Sequence, residues 1–159
     1  MATRKIVADG WLYRTARHDS LGLVLVDPTD QDDLPEGTLR VFVLETHQTA
    51  RFDRREFARS LSGDLSDDDC SGLLVPYRAF RRALGRPAAA PPEVAHASLF
   101  RYRGLPVPET RPRGPDNIPH GQSCRVCKRA LDADLEIECT QCGAIVCRCG
   151  ACGCETPDA

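Results

Sequence analysis

The feature that most constrains this chain is a cluster of cysteines near one end. Eight cysteines fall between Cys124 and Cys154, whereas the 123 residues before them hold a single one, Cys70. A segment this short cannot build an apolar core of its own, and chains below about 40 residues usually need metal ions or disulfides to fold. We therefore expect thiol chemistry to take the place of a core in this part of the chain.

The spacing of these cysteines is typical of zinc-binding modules. They form two Cys-x2-Cys pairs followed by a denser set of four, in the order Cys124, Cys127, Cys139, Cys142, Cys147, Cys149, Cys152 and Cys154. A Cys-x2-Cys turn directs two sulfurs at one point, and two such pairs supply the four thiolates that Zn²⁺ binds tetrahedrally at about 2.3 Å. Eight thiolates thus predict two structural zinc ions, each contributing on the order of 10 kcal/mol to folding.

Disulfides, an iron–sulfur cluster and dithiol redox chemistry are the alternatives to zinc. Disulfides suit a secreted chain, but the first ten residues, MATRKIVADG, contain no apolar signal core. An iron–sulfur cluster needs four cysteines, and a redox-active Cys-x2-Cys pair opens a helix in a larger fold. We therefore expect zinc, and a cytoplasmic location in which thiols stay reduced.

The eight predicted ligands can be divided between two zinc ions in two ways. In a sequential division, the first four cysteines bind one ion and the last four bind the other. In an interleaved division, one ion is bound by Cys124, Cys127, Cys147 and Cys149, and the other ion by the remaining four. The sequential division crowds four ligands into residues 147–154, which strains that site, so we favour interleaving.

The run from Cys139 to Cys147, CTQCGAIVC, resembles the middle of FYVE-type, RING-type and PHD-type fingers, which hold two zinc ions in a cross-brace. The sequence also departs from those families. FYVE fingers carry a run rich in arginine and histidine where residues 134–138 read DLEIE, and RING and PHD fingers include a histidine ligand. His120 lies just outside the module and is expected to be a linker residue. The resemblance implies recognition of another protein and, for a RING-like module, recruitment of a conjugating enzyme of a ubiquitin-like pathway.

Residues 1–85 predict an α+β domain in which antiparallel strands precede two helices. Apolar and β-branched runs bounded by turn residues predict strands at 10–13, 21–26 and 38–44. Asp53 and Glu56 match a capping box, with Phe52 and Phe57 at the staple positions, and predict a helix over 54–62. A second helix is predicted from residue 76 to 84, because proline suits its first position and Gly85 its end. The acidic segments 27–33 and 67–69 are expected to be solvated loops or helix caps.

The remaining chain is predicted to contain a linker, the finger and a tail. Eight of the 12 prolines lie between Pro87 and Pro119. Because proline lacks a backbone donor and restrains the residue before it, residues 86–123 are predicted to form a linker or strap. The alternating segment 97–103 could add a strand to the edge of the first domain's sheet or dock on a partner, but we favour a strap that packs on its own protein. Residues 124–154 form a two-zinc finger with eight cysteine ligands, and residues 155–159 form the tail.

These features favour a non-catalytic zinc-binding adaptor that recognises a protein partner through its C-terminal finger. A net charge of −2 and a pI of about 6.1 argue against a nucleic-acid coat or a cationic membrane binder. The sequence contains neither a nucleophile elbow nor a phosphate loop, and eight cysteines for two zinc ions leave no open coordination position. We therefore assign no catalytic residue and expect no small-molecule substrate.

Two alternatives remain beside the adaptor. One is a RING-like, E3-type factor that recruits a conjugating enzyme. The other is a nucleic-acid-binding accessory protein that uses arginines on or near the two helices: Arg51, Arg54, Arg55, Arg59, Arg78, Arg81 and Arg82. For the adaptor, the residues of the finger expected to be exposed and available for recognition are Arg125, Val126, Lys128, Leu131, Leu135, Ile137 and Ile145.

Overall fold

The computed structural model describes residues 3–112, 123–131, 137–152 and 154 of the 159-residue chain. The chain divides into two compact units: unit 1 comprises residues 1–8 and 12–88, and unit 2 comprises residues 9–11 and 89–159. Within the described ranges, none of the helices has the length and apolar character that crossing a membrane requires. The elements are β1 (Thr3–Ala8), β2 (Trp11–His18), β3 (Gly22–Val26), β4 (Thr38–Val43), β5 (Gln48–Asp53), α1 (Arg54–Arg59), α2 (Asp67–Ala83), α3 (Pro92–Arg103), β6 (Thr110–Pro112) and β7 (Ile137–Cys139).

Unit 1 is built on a five-stranded antiparallel sheet in which each strand pairs with its neighbours in sequence, in the order β1-β2-β3-β4-β5. The predicted strands correspond to β2, β3 and β4, and the α+β class is confirmed. The two edge strands, β1 and β5, were not predicted. Most of their side chains are exposed or half-buried, so their sequences lack the apolar run that marks a central strand.

Helices cover both faces of this sheet, because alternate residues of the central strands point to opposite sides. On one face, Val24 and Val41 pack with Phe57 of α1. On the other face, the ring of Phe42 lies 5.1 Å from that of Tyr77, a residue of α2. Val24, Val41, Phe42 and Tyr77 are each at most 1% exposed. The core of unit 1 therefore consists of two apolar layers, one on each side of the sheet.

The first predicted helix is confirmed, and Asp53 caps its start. The carboxylate of Asp53 accepts hydrogen bonds from the backbone N–H groups of Arg55 at 2.8 Å and Glu56 at 3.1 Å. The rings of Phe52 and Phe57 lie 5.8 Å apart, as a hydrophobic staple requires. The helix ends at Arg59 rather than at residue 62, because the N–H of Ser60 turns back to the Phe57 carbonyl at 3.1 Å.

The start predicted for the second helix was wrong. α2 begins at Asp67, and Pro76 lies in its interior rather than at its first turn. Ser66 and Asp69 form a capping box, in which the Ser66 hydroxyl accepts from the Asp69 N–H and the Asp69 carboxylate accepts from the Ser66 N–H, both at 3.0 Å. This box and three acidic residues in the first turn set the helix start. The acidic segment 67–69, which was predicted to be a solvated loop or a helix cap, therefore forms the first turn of α2.

The segment 27–33 is more buried than expected, and it binds arginines. Asp27 is 3% exposed and forms an ion pair with Arg81 of α2, which is 4% exposed. The same carboxylate accepts a hydrogen bond from the Tyr77 hydroxyl at 2.6 Å. Asp30 is also buried and forms ion pairs with Arg40 and Arg86. These carboxylates can be buried because each one is paired with an arginine. The sequence of the loop does not show which arginines those are.

Unit 2 contains a helix within the segment that was predicted to form a linker or strap. α3 spans Pro92–Arg103 and has Ala95, His96, Ser98, Leu99 and Phe100 buried. Proline occupies the first turn, where no backbone donor is needed. Gly104 ends the helix in the left-handed conformation at φ 72°. The possible strand over 97–103 is not formed, because these residues belong to α3. The prolines flank this helix instead of preventing one.

Candidate metal centre

The structure gathers the eight clustered cysteines into two groups of four, and the grouping is the interleaved one. Within each group the four sulfurs all lie within 4.8 Å of one another, and each group could hold a metal ion. The first group is Cys124, Cys127, Cys147 and Cys149; the second group is Cys139, Cys142, Cys152 and Cys154.

The distances between sulfurs fit a tetrahedral metal site. A tetrahedron with metal–sulfur distances of about 2.3 Å has sulfurs about 3.8 Å apart. In the first group, Cys124 and Cys149 have their sulfurs 3.6 Å apart, and so do Cys127 and Cys147. In the second group, the sulfurs of Cys139 and Cys154 are 3.4 Å apart. A disulfide would bring two sulfurs to about 2.05 Å, and all nine cysteines of the chain are free thiols.

The Cys-x2-Cys pair of the first group lies on a tight turn. The N–H of Lys128 donates to the Cys124 carbonyl at 2.9 Å, and the N–H of Cys124 donates to the Arg129 carbonyl at 2.8 Å. Lys128 adopts the left-handed conformation, with φ at 60°. The turn brings Cys124 and Cys127 close together, so that both sulfurs can face one ion.

The Cys-x2-Cys pair of the second group lies on the same kind of turn. The N–H of Gly143 donates to the Cys139 carbonyl at 2.8 Å, and the N–H of Cys139 donates to the Ala144 carbonyl at 2.9 Å. Gly143 has φ at 67°, so it occupies the position that Lys128 occupies in the first turn. Two segments with different sequences therefore form one local structure, which the shared cysteine spacing predicts.

A small strand arrangement holds the second group in place. β7 pairs antiparallel with β6, and the N–H of Val146 donates to the Ile137 carbonyl at 3.2 Å. Ile137 and Ile145 are 6% and 7% exposed. Their prediction as exposed recognition residues was therefore wrong. The chain pairs with β7 when it returns after the second turn, and Ile137 packs with Cys139 and Val146.

Apolar side chains cover the first group on the side of Cys124 and Cys147, whereas Cys127 is exposed. Leu99 and Ala151 pack with Cys124 and Cys147, and Leu131 packs against the same cluster. Leu131 is half-buried, so it is less available for recognition than predicted. Apolar cover of this kind keeps water from a metal–thiolate site.

A histidine that the sequence did not single out lies against the second group. Nε2 of His96, in α3, is 3.2 Å from the sulfur of Cys152. His96 is fully buried, and its burial lowers the pKa of the imidazole. His96 does not belong to the set of atoms within 4.8 Å of one another that defines the second group. It lies far from the cysteines in sequence, so no ligand spacing could have identified it.

Burial sets the protonation of the metal-free thiols. It raises the pKa of Cys147 to about 11 and that of Cys154 to about 12. Burial acts in the same direction on Cys127, but the Arg129 N–H and the neighbouring thiols outweigh it and lower the pKa of Cys127 to about 7. A metal ion must therefore displace protons when it binds these groups at neutral pH.

The other residues predicted to take part in recognition are distributed as follows. Arg125, Val126 and Lys128 are exposed on the first turn, and Val126 retains 48% of its surface. Leu135 and His120 lie outside the described residues. Of the seven arginines proposed as a nucleic-acid surface, Arg81 is buried against Asp27, and the other six are exposed.

No family model, curated protein or solved structure matches this chain. The resemblance to cross-brace fingers therefore rests on the cysteine spacing and on the two interleaved groups.

Proposed function

We propose that this chain is a zinc-binding adaptor: two structural zinc ions, one in each cysteine group, hold unit 2 together, and unit 2 binds a protein partner. The observation that supports zinc most directly is the pair of interleaved four-sulfur groups at tetrahedral spacing. Four thiolates form a closed site of the structural kind, whereas catalytic zinc keeps one position for water or substrate. The cysteines would hold the ions, and the ions would supply folding energy rather than chemistry.

The surface that best suits a partner is the exposed first turn. Val126 stands out from the turn and is flanked by the basic side chains of Arg125, Lys128 and Arg129, all of them exposed. An exposed apolar residue within a charged rim is typical of a protein contact. Glu138 is buried and paired with Arg111, so it does not belong to this exposed surface. The partner we propose is a protein that presents acidic side chains around an apolar one.

Zinc binding is tested by native mass spectrometry of the purified full chain. We expect two zinc ions per chain, and loss of both with a strong chelator. The chelated protein should lose order in unit 2, which hydrogen exchange can follow residue by residue. A chain that carries no metal as purified, fails to take up zinc under reducing conditions, or has bridged sulfurs would refute the proposal.

Partner recognition is tested with the zinc-loaded chain as bait. Captured proteins are compared between the wild-type chain, the variant Val126→Asp, and a control variant, Val75→Asp, at an exposed valine of unit 1. We expect Val126→Asp, but not Val75→Asp, to abolish capture of a protein with an acidic surface. Capture of a conjugating enzyme would favour the RING-like alternative. Retention on nucleic acid that falls steeply with salt would favour the nucleic-acid alternative.

A further inference from the structure

Helix α3 lies directly against the cysteine groups of unit 2. His96 and Leu99 are three residues apart, so they share a face of the helix. His96 contacts Cys152 of the second group, whereas Leu99 packs against Cys124 and Cys147 of the first. One face of α3 thus reaches both groups.

The backbone of α3 also makes a close contact with the loop that carries the last cysteines. Gly150 has φ at 90°, and a Cβ placed on it would lie 1.9 Å from the carbonyl oxygen of Ala95. Only glycine leaves room for this approach. The backbone of the helix therefore lies close to the loop at Gly150, in addition to the side-chain contacts of His96 and Leu99.

The hydrogen bonding of His96 determines which of its nitrogens carries the proton when metal is bound. Nε2 faces the Cys152 sulfur at 3.2 Å, while Nδ1 is buried and has no hydrogen-bond partner among the described residues. A metal-bound thiolate has no proton to donate. A neutral imidazole with its proton on Nδ1 would bury an unpaired donor and would turn a lone pair towards the thiolate. The proton therefore belongs on Nε2.

We propose that His96 is a positioning residue of the second metal site, donating its Nε2–H to the thiolate of Cys152 in the zinc-loaded protein. This inference rests on the proposed binding of zinc. Hydrogen bonds to ligating groups orient the ligands and tune the metal, and their loss typically weakens metal binding 10- to 100-fold. His96 spreads the negative charge of the thiolate and ties α3 to the second site.

Direct coordination by His96 is the competing role, and the geometry disfavours it. The four sulfurs of the second group already complete a tetrahedral set. A nitrogen that joined them would have to lie near all four sulfurs, and His96 does not belong to that set. The imidazole instead approaches the site from the side of Cys152.

The first experiment uses the wild-type full chain loaded with ¹¹³Cd²⁺, a spectroscopic substitute for zinc, with ¹⁵N-labelled histidine. We expect two cadmium resonances, each assigned through couplings to cysteine β protons, and the Nε2–H tautomer of His96. The Nδ1–H tautomer would overturn the inference, and so would a one-bond ¹⁵N–¹¹³Cd coupling, which only a coordinated nitrogen shows. A chain that binds no cadmium or zinc would overturn both this inference and the proposed function. Two bound ions with the wrong tautomer would overturn the inference alone.

The second experiment compares variants of the full chain. His96→Leu removes the donor, His96→Gln keeps an N–H donor, and Leu99→Ala removes packing at the first site instead. We expect His96→Leu to shift the cadmium resonance of the second site and to speed metal release there about 10- to 100-fold, with His96→Gln recovering most of this loss. Leu99→Ala should act mainly on the first site. Equal behaviour of His96→Leu and His96→Gln at the second site would overturn the donor role.

Discussion

Alanine at Cys127 and Cys147 together removes two sulfurs from the first group and none from the second. Alanine at Cys127 and Cys142 together removes one sulfur from each group. A sequential division of the ligands would reverse these outcomes: the first double variant would damage both sites, and the second would damage only one. The two variants carry the same number of substitutions, so each is the control for the other.

The expected size of the effect follows from the four-sulfur coordination. Structural zinc contributes about 10–16 kcal/mol, which is about 2.5–4 kcal/mol for each of four sulfurs. Since about 1.4 kcal/mol is a tenfold change in affinity, one missing sulfur should weaken a site by roughly two to three orders of magnitude. Two missing sulfurs should weaken one site by roughly four to six orders of magnitude.

The assay is native mass spectrometry of the two variants across a series of chelators of increasing affinity. We expect Cys127→Ala/Cys147→Ala to retain one tightly held zinc ion, and Cys127→Ala/Cys142→Ala to lose both ions to chelators that the wild type resists. The interleaved grouping would be refuted if the first variant lost both ions while the second kept one tightly.

Three further predictions concern the fold. Asp27→Ala should lower the free energy of unfolding of unit 1 by about 3–5 kcal/mol, because it removes the carboxylate that pairs with the buried guanidinium of Arg81. Asp33→Ala, at a side chain that is 66% exposed, should have a much smaller effect in the same denaturant titration. Gly150→Ala should weaken metal retention more than Gly143→Ala. Both glycines have positive φ, but nothing lies within 4 Å of a Cβ at Gly143; equal effects would contradict the close approach to α3. Hydrogen bonds from the N-cap serine lower the pKa of Asp69, so its contribution to stability is present above its unfolded pKa of about 3.9 and disappears as the pH falls through the folded value. In thermal melts measured at a series of pH values, Asp69→Asn should therefore lose less stability than the wild type as the pH falls.

Local sequence signals predicted the local structure well. The capping residues around Asp53 predicted α1, and the Cys-x2-Cys spacing predicted both tight turns that carry the paired cysteines, because a cap and a tight turn depend on residues a few positions apart. The same kind of signal failed where two local patterns competed. Pro76 suggested a helix start, yet the capping box at Ser66 and Asp69 begins α2 earlier.

Long-range contacts account for most of what the sequence did not predict. Burial of Ile137 and Ile145 depends on the return of the chain after the second turn. The pairing of Asp27 with Arg81 joins residues far apart in the sequence. In each case the sequence identifies the chemical group, but its environment is set by a segment elsewhere in the chain.

By itself, the sequence determined the number and kind of candidate metal ligands, the two local turns and the α+β class, because these follow from residue type and short spacing. Only the tertiary structure decided which cysteines share a group, that α3 lies against both groups, and that His96 faces Cys152. The physical reason is that a sulfur's neighbours across space depend on how the intervening chain packs; the cysteine spacing favoured the interleaved grouping but left the sequential one open.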